Sequence, residues 1–208
     1  MIRIRVDVSR DLGPQLAPAV EAIRRGQVVA FPTDTLYGLA ADPRDEGAVG
    51  AVLAVKGRGQ DRTVALVASS LEQAERVVVL AGQARLLAAR FWPGPLTLVV
   101  PARASVAPGA QSSGRAGIRV PDHPVARALA EACGHPLTAT SANRSGEPAA
   151  ADPDAVAASL PGIAVLVDAG TTAGGPPSTV VDATTDPARL LREGALPWSR
   201  VLEFLSAP

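Results

Sequence analysis

Short apolar runs recur along this chain, and most stop abruptly at a cluster of hydroxyls, glycines or arginines. Residues 28–31 run straight into Pro32-Thr33-Asp34-Thr35-Leu36-Tyr37-Gly38, and residues 137–140 end in Ser141-Ala142-Asn143-Arg144-Ser145-Gly146. A Gly/Pro-rich connection over 170–177 delivers Ser178-Thr179 to a strand over 180–182. Another strand ends at Leu190-Leu191-Arg192-Glu193-Gly194. Further runs lie at 64–68, 96–100 and 163–167, and at 2–6, where Ile2, Ile4 and Val6 alternate with charge. Runs this short, bounded by turn formers, read as strands.

Between the strands lie patterns of helical period. Residues 14–25 carry Leu16, Val20 and Ile23 on one face and close at Gly26. Asp45-Glu46 opens a helix through Val49, Val52 and Leu53 that stops at Gly57, with its acids at the positive end of the dipole. Ser70-Leu71-Glu72-Gln73 is a capping box, and a second helical pattern runs through Phe91 to the break at Trp92-Pro93-Gly94-Pro95. Asp122 is placed to cap a helix over 123–133, Asp152-Pro153 starts one more, and a short helix begins at Pro197. The alternation predicts an α/β class, and the absence of repeats predicts one domain over residues 1–208.

Composition removes several kinds of function. Twenty basic and twenty acidic residues balance to a net charge of zero. A nonspecific nucleic-acid binder carries a basic excess, so a polyanion here is expected as a small ligand in one pocket. The single Cys133 excludes an internal disulfide and a cysteine metal cluster, and two histidines leave little for zinc chemistry. No signal-peptide core and no apolar run of membrane length is present, which predicts a cytoplasmic protein. Walker, dinucleotide-fingerprint and nucleophile-elbow motifs are absent as well.

What the chain does offer is cations on loops. Lys56 is its only lysine, standing beside Gly57 and Arg58 with Arg62 close behind. A compact ammonium next to planar guanidinium forks suits a polyphosphate. A solvated lysine stabilised by a helix C-terminus fits the same motif. Ser112-Ser113-Gly114-Arg115-Ala116-Gly117 could form an anion-binding concavity or a plain surface hairpin. The loop over 32–38 could face a ligand or be a turn capped by its own side chains. Taken together the loops carry Lys56, Arg58, Arg62, Arg115, Arg119 and Arg192, interleaved with Thr33, Thr35, Ser141, Asn143 and Ser178. Cations without an evident nucleophile fit chemistry on phosphate, where positioning and charge stabilisation supply most of the catalysis.

The order Pro-Thr-Asp-Thr-Leu-Tyr-Gly, Lys-Gly-Arg, Trp-Pro-Gly-Pro-Leu-Thr, Gly-Ile-Arg-Val-Pro, Ser-Ala-Asn-x-Ser-Gly, Ser-Thr-Val-Val-Asp and Leu-Arg-x-Gly resembles the YrdC/TsaC-type threonylcarbamoyl-AMP synthases. The resemblance extends from about Val20 to Gly194. It implies an open, twisted α/β sheet of mixed strand direction, flanked by helices around a central cavity. It also implies synthesis of threonylcarbamoyl-AMP from L-threonine, bicarbonate (or CO2) and ATP, with Mg2+ on the phosphates and release of pyrophosphate. Partner proteins would then transfer the group to tRNA; direct tRNA binding is left open, and no membrane is involved.

By that resemblance Thr35, Arg119 and Ser178 bind threonine, and Lys56 and Arg58 are catalytic. Arg58, Arg62, Arg115, Ser141, Asn143 and Arg192 face the nucleotide, and no protein residue is assigned to a metal. The sequence departs from the family at Gly59 and Thr63, where proline is usual, and at Arg62, where lysine is common. It is similar to the shorter members, without the additional C-terminal domain of the longer ones. The alternatives are a YciO-type module that binds RNA or a nucleotide without turnover, and a carbamoyl-AMP-forming domain of the hydrogenase-maturation type.

Overall fold

The computed structural model describes residues 1–57 and 63–206. Along the chain these form β1 (Ile2–Arg5), α1 (Leu12–Arg24), β2 (Val29–Pro32), β3 (Tyr37–Ala40), α2 (Glu46–Lys56) and β4 (Leu66–Val67). There follow α3 (Leu71–Glu75), α4 (Gly82–Phe91), β5 (Leu96–Pro101), β6 (Arg115–Arg119), α5 (Pro124–Cys133), β7 (Leu137–Thr138) and β8 (Thr140–Ser141). The last elements are α6 (Pro153–Ser159), β9 (Val165–Asp168), β10 (Thr179–Asp182), β11 (Arg189–Arg192) and α7 (Trp198–Ser206). The mixed α/β architecture predicted from the alternation is present, and its strands divide between two sheets. One has the order β1-β9-β2-β3-β8, the other β11-β10-β5-β6-β4-β7, and each mixes parallel and antiparallel pairs.

The period of two along the strands explains the layering. In the first sheet Val29, Phe31, Val165 and Val167 face one way and pack against α1 and α5 through Leu16, Ile23, Val125 and Leu129. Ala30, Leu39 and Leu166 face the other way. They enter a larger core shared with Leu66, Leu98 and Ile118 of the second sheet and with Val49, Val52 and Leu53 of α2. Both faces of the first sheet are covered, which is why β2 and β9 read as unbroken apolar runs.

Residues 137–141 tie the sheets together. β7 pairs antiparallel with β4, Leu66 opposite Thr138. One residue later β8 pairs with β3, Gly38 opposite Ser141 and Leu39 opposite Thr140. At the crossing, Thr138 Oγ1 accepts from Ala41 N and donates to Leu39 O, and Ala139 N donates to Ala65 O. The sequence pattern shows one strand here because both halves are apolar or hydroxylic.

Three local features bear on the sequence reading. The stretch over 32–38 is a tight hairpin: β2 and β3 pair from Val29–Ala40 to Pro32–Tyr37. Thr33 Oγ1 closes the turn, donating to Leu36 O at 2.7 Å and accepting from Leu36 N at 3.3 Å. The tyrosine after it, Tyr37, is fully buried and donates its hydroxyl to Gly170 O at 2.7 Å. Second, the 112–117 segment takes the hairpin reading, and strand β6 starts at Arg115 because Ala116 and Ile118 go into the core. Ser113 and Gly114 turn the chain with φ of 50° and 70°, as a two-residue hairpin requires. Third, His123 and not Asp122 is the N-cap of α5, with no side-chain capping bond.

The return of the chain past Ser178 is tightly built. A Cβ placed on Gly194 would lie 2.0 Å from Pro177 O and 2.7 Å from the Ser178 carbonyl carbon, both backbone. Gly194→Ala is therefore expected to cost about 3 kcal/mol, the upper range for overpacking. For a domain of this size that is roughly a 6–12 °C fall in Tm. A calorimetric or optical melt measures it, and an unchanged Tm would show that the 177–178 backbone yields freely.

Candidate active site

The second sheet turns one face to the core and the other to a cavity of about 620 Å³. In β6, Ala116 and Ile118 join the core, while Arg115, Gly117 and Arg119 line the cavity. In β5, Leu96, Leu98 and Val100 go inward, and Thr97 and Val99 form the floor. In β10, Val181 is core and Val180 and Asp182 line the cavity. Thr33 and Thr35 of the β2–β3 turn, Ser141 of β8, Ser178 before β10 and Arg192 of β11 complete the wall.

Arg115 and Arg119 are four residues apart on one strand face, so their backbones are about 13 Å apart and mark two ends. At one end Arg119 is 7% exposed, with Nη1 3.3 Å from Asp34 Oδ1. Burial pushes the guanidinium below its ordinary pKa; Asp34 opposes the shift and the charge of Arg192 adds to it. Arg119 Nη1 and both Asp34 carboxylate oxygens are buried without a hydrogen-bond partner among the described residues. A guanidinium stays charged under such a shift, so this end is a desolvated cation with hydrogen-bonding capacity to spare.

Hydroxyls line the same cavity. Thr35 is 6% exposed, its Oγ1 3.2 Å from Thr33 Oγ1, and Ser178 Oγ lies 2.8 Å from Thr97 Oγ1. Arg192 Nη2 donates to Ser178 O at 2.9 Å, and burial lowers its pKa also. A buried cation beside Asp34 and small hydroxyls on one cavity wall is an arrangement that a carboxylate with a short polar side chain would fill.

At the other end Arg115 Nη1 sits 3.6 Å from Asp182 Oδ2. Asp182 accepts from Thr184 N at 2.9 Å and Thr184 Oγ1 at 2.5 Å. Burial pushes the Asp182 carboxyl up, but the Thr184 hydrogen bonds and the charges of Arg115 and Arg189 outweigh it, and its pKa ends lowered.

Of the residues singled out from sequence, Thr35, Arg115, Arg119, Ser141, Ser178 and Arg192 meet on this one cavity. Arg58 and Arg62 lie outside the described residues. Lys56 and Asn143 are not on the wall but beneath it. Lys56 is 1% exposed and its Nζ donates to Ser141 O at 2.5 Å, Asn143 O at 3.0 Å and Asn143 Oδ1 at 3.1 Å. Asn143 Oδ1 also accepts from Ser141 Oγ, and its Nδ2 donates to Arg144 O and Glu147 O. The ammonium thus bonds the end of α2 to the 141–143 loop. The signal was available: Val49, Val52, Leu53 and Lys56 follow i, i+3, i+4, i+7 and so share the buried helix face.

Thr97, Asp34 and Asp182 escaped the sequence reading. Thr97 is the only polar side chain in the β5 run Leu-Thr-Leu-Val-Val-Pro, a position that strict alternation would have flagged.

Comparison with known proteins adds to this geometry. Residues 21–194 match the Sua5/YciO/YrdC family model, described as "Telomere recombination". A threonylcarbamoyl-AMP synthase of Pyrococcus abyssi is 42% identical over 183 residues, 86% of this chain and 54% of that protein. The structure of P. abyssi Sua5 complexed with L-threonine matches with a TM-score of 0.91 at 37% identity, covering 99% of this chain and 60% of that one. E. coli YciO matches with a TM-score of 0.84 at 26% identity, covering 94% and 96%. This chain thus spans little more than half the length of the P. abyssi relative.

Replacing Lys56 by methionine keeps the length of the side chain and leaves the acceptors at Ser141 and Asn143 without their buried donor. Each unsatisfied group costs about 1–3 kcal/mol, so Lys56→Met is expected to destabilise the chain by about 3 kcal/mol in urea unfolding. Unfolding at the unmodified midpoint would show that the ammonium does not hold the loop.

Proposed function

The chain belongs to the Sua5/YciO/YrdC family, and from that premise we propose that it is an L-threonylcarbamoyladenylate synthase. The observation that carries this reading is the buried Arg119 guanidinium at one end of the cavity, beside the hydroxyls of Thr35 and Ser178. Arg119 takes the threonine carboxylate, and Thr35 and Ser178 take its polar atoms. The naming of a relative as threonylcarbamoyl-AMP synthase and the L-threonine held by P. abyssi Sua5 support this assignment.

The reaction proposed is the one that the family resemblance implies. The threonine amine captures CO2 drawn from bicarbonate and becomes a carbamate. A carbamate oxygen attacks the α-phosphorus of ATP, the bond to the β-phosphate oxygen breaks, and pyrophosphate leaves. Every reacting partner in this step is anionic, so fixed cations must hold them together. Arg115 and Arg192 serve the nucleotide from the wall, with Arg58 and Arg62 assigned there by family resemblance. Ser141 contacts the nucleotide, and Lys56 and Asn143 act by keeping its loop in place.

Magnesium travels with the triphosphate. Among the described residues no group of three or more His, Cys, Asp or Glu side chains could hold a metal. Among the described residues Asp182 is the one carboxylate on the wall, and it faces Arg115. A protein-held metal does not fit these donors, so the ion is assigned to phosphate oxygens and water. The product passes to tRNA-modifying transferase proteins, in the cytoplasm; among the described residues no helix is long and apolar enough to cross a membrane. The YciO-like reading, a module binding RNA or nucleotide without turnover, lacks the basic excess that tight RNA binding uses.

The test is pyrophosphate release from ATP and bicarbonate, measured with each of the twenty amino acids. Release is expected with threonine and to stop without an amino acid. Arg119→Ala is expected to raise the KM for threonine by roughly 10²-fold, the scale of losing a buried charge partner. Equal release in the absence of threonine, or an Arg119→Ala variant indistinguishable from the unmodified chain, would overturn the reading.

A further inference from the structure

Ser178 reaches the cavity from a main chain that is held on every side. Thr179 N donates to Pro95 O at 2.9 Å and Ala195 N to Pro177 O at 2.8 Å. Arg192 Nη2 donates to Ser178 O, Gly194 N donates to Thr179 Oγ1, and that hydroxyl donates to Leu196 O. With the backbone fixed, what is left to Ser178 is its χ1 rotamer and the direction of its hydroxyl proton. The group touching that hydroxyl is Thr97, Oγ1 to Oγ 2.8 Å.

Thr97 is itself immobile. It lies in a central strand of its sheet, is 4% exposed, and is β-branched, so its χ1 is restricted. Its methyl sits over Gly117, with Cγ2 3.4 Å from the place a Cβ on that glycine would occupy. The rotamer that lays the methyl on Gly117 is the one that aims the hydroxyl at Ser178. A hydroxyl carries one proton and two acceptor sites. From Ser178 an anionic ligand oxygen can take only the hydroxyl proton, so in the contact with Thr97 Ser178 Oγ must then accept. Thr97 is the donor in place to supply that bond, and a hydroxyl that accepts becomes a better donor in turn.

We propose that Thr97 is a positioning residue that turns the Ser178 hydroxyl into a directed proton donor toward a carboxylate or carbamate oxygen of the amino-acid substrate. The proposal rests on the synthase reading and adds to it a two-hydroxyl chain, Thr97 to Ser178 to ligand oxygen. Thr97 does not touch the reacting atoms.

The experiment is a mutant cycle read by steady-state pyrophosphate release with threonine and ATP varied separately. Thr97→Val keeps the shape and removes the proton; it is expected to raise the KM for threonine roughly tenfold, the scale of one hydrogen bond to a charged group, with the KM for ATP unchanged. Thr97→Ser returns the hydroxyl and is expected to restore the threonine KM. The double variant Thr97→Val/Ser178→Ala is expected to be no worse than Ser178→Ala alone, because the two hydroxyls act as one unit. Additive losses in the double variant, an unchanged threonine KM in Thr97→Val, or equal rises in both KM values would each overturn the proposal while the parent reading stands. An unmodified chain that releases no pyrophosphate in response to threonine would remove both.

Discussion

The second sheet depends on one constraint: successive side chains of a strand must point to opposite faces. In β6 that rule sends Ala116 and Ile118 into the core and Arg115, Gly117 and Arg119 into the cavity. Register with β5 then places Leu98 opposite Ile118 and Val99 opposite Gly117, so both strands agree on which side is dry. A slip of one residue would bury two guanidinium groups among leucines and expose the core, which is prohibitive without partners. The anion-facing geometry and the stability of the sheet are therefore the same fact. Arg119 ends up desolvated because the strand that carries it is built from its apolar neighbours.

Smallness has a defined place in this arrangement. Gly117 lies between the two arginines on the cavity floor, where a Cβ would fill the space up to contact with Thr97 and Ala65. A larger residue would block the track from the Arg119 end to the Arg115 end. On the opposite side, Thr33 spends its hydroxyl on the turn that presents Thr35.

Much of this was legible in the sequence. The strand–helix alternation, the caps at Asp45, Ser70 and Asp152 and the stop at Gly57 are all observed. These are local properties with local causes. The convergence of Thr35, Arg115, Arg119, Ser141, Ser178 and Arg192 on one cavity was legible only as a set of strand ends carrying similar chemistry. What could not be read was long-range. The division into two sheets is decided at Ala139, where nothing in Leu-Thr-Ala-Thr-Ser marks a change of partner. The pairing of Arg119 with Asp34 joins positions far apart in the chain and needs the fold before it exists. Lys56 carries two signals at once: its rarity points to its charge, while its spacing with Val49, Val52 and Leu53 puts it on the buried side of α2.

The crossing strand at 137–141 has a mechanical consequence. Since five consecutive residues are bonded to one sheet and then to the other, the walls bearing Thr35 and Arg119 cannot drift apart without tearing a ladder on one side. The width of the cavity is thus set covalently, before any ligand arrives. Little of a ligand's binding free energy then has to go into closing the walls.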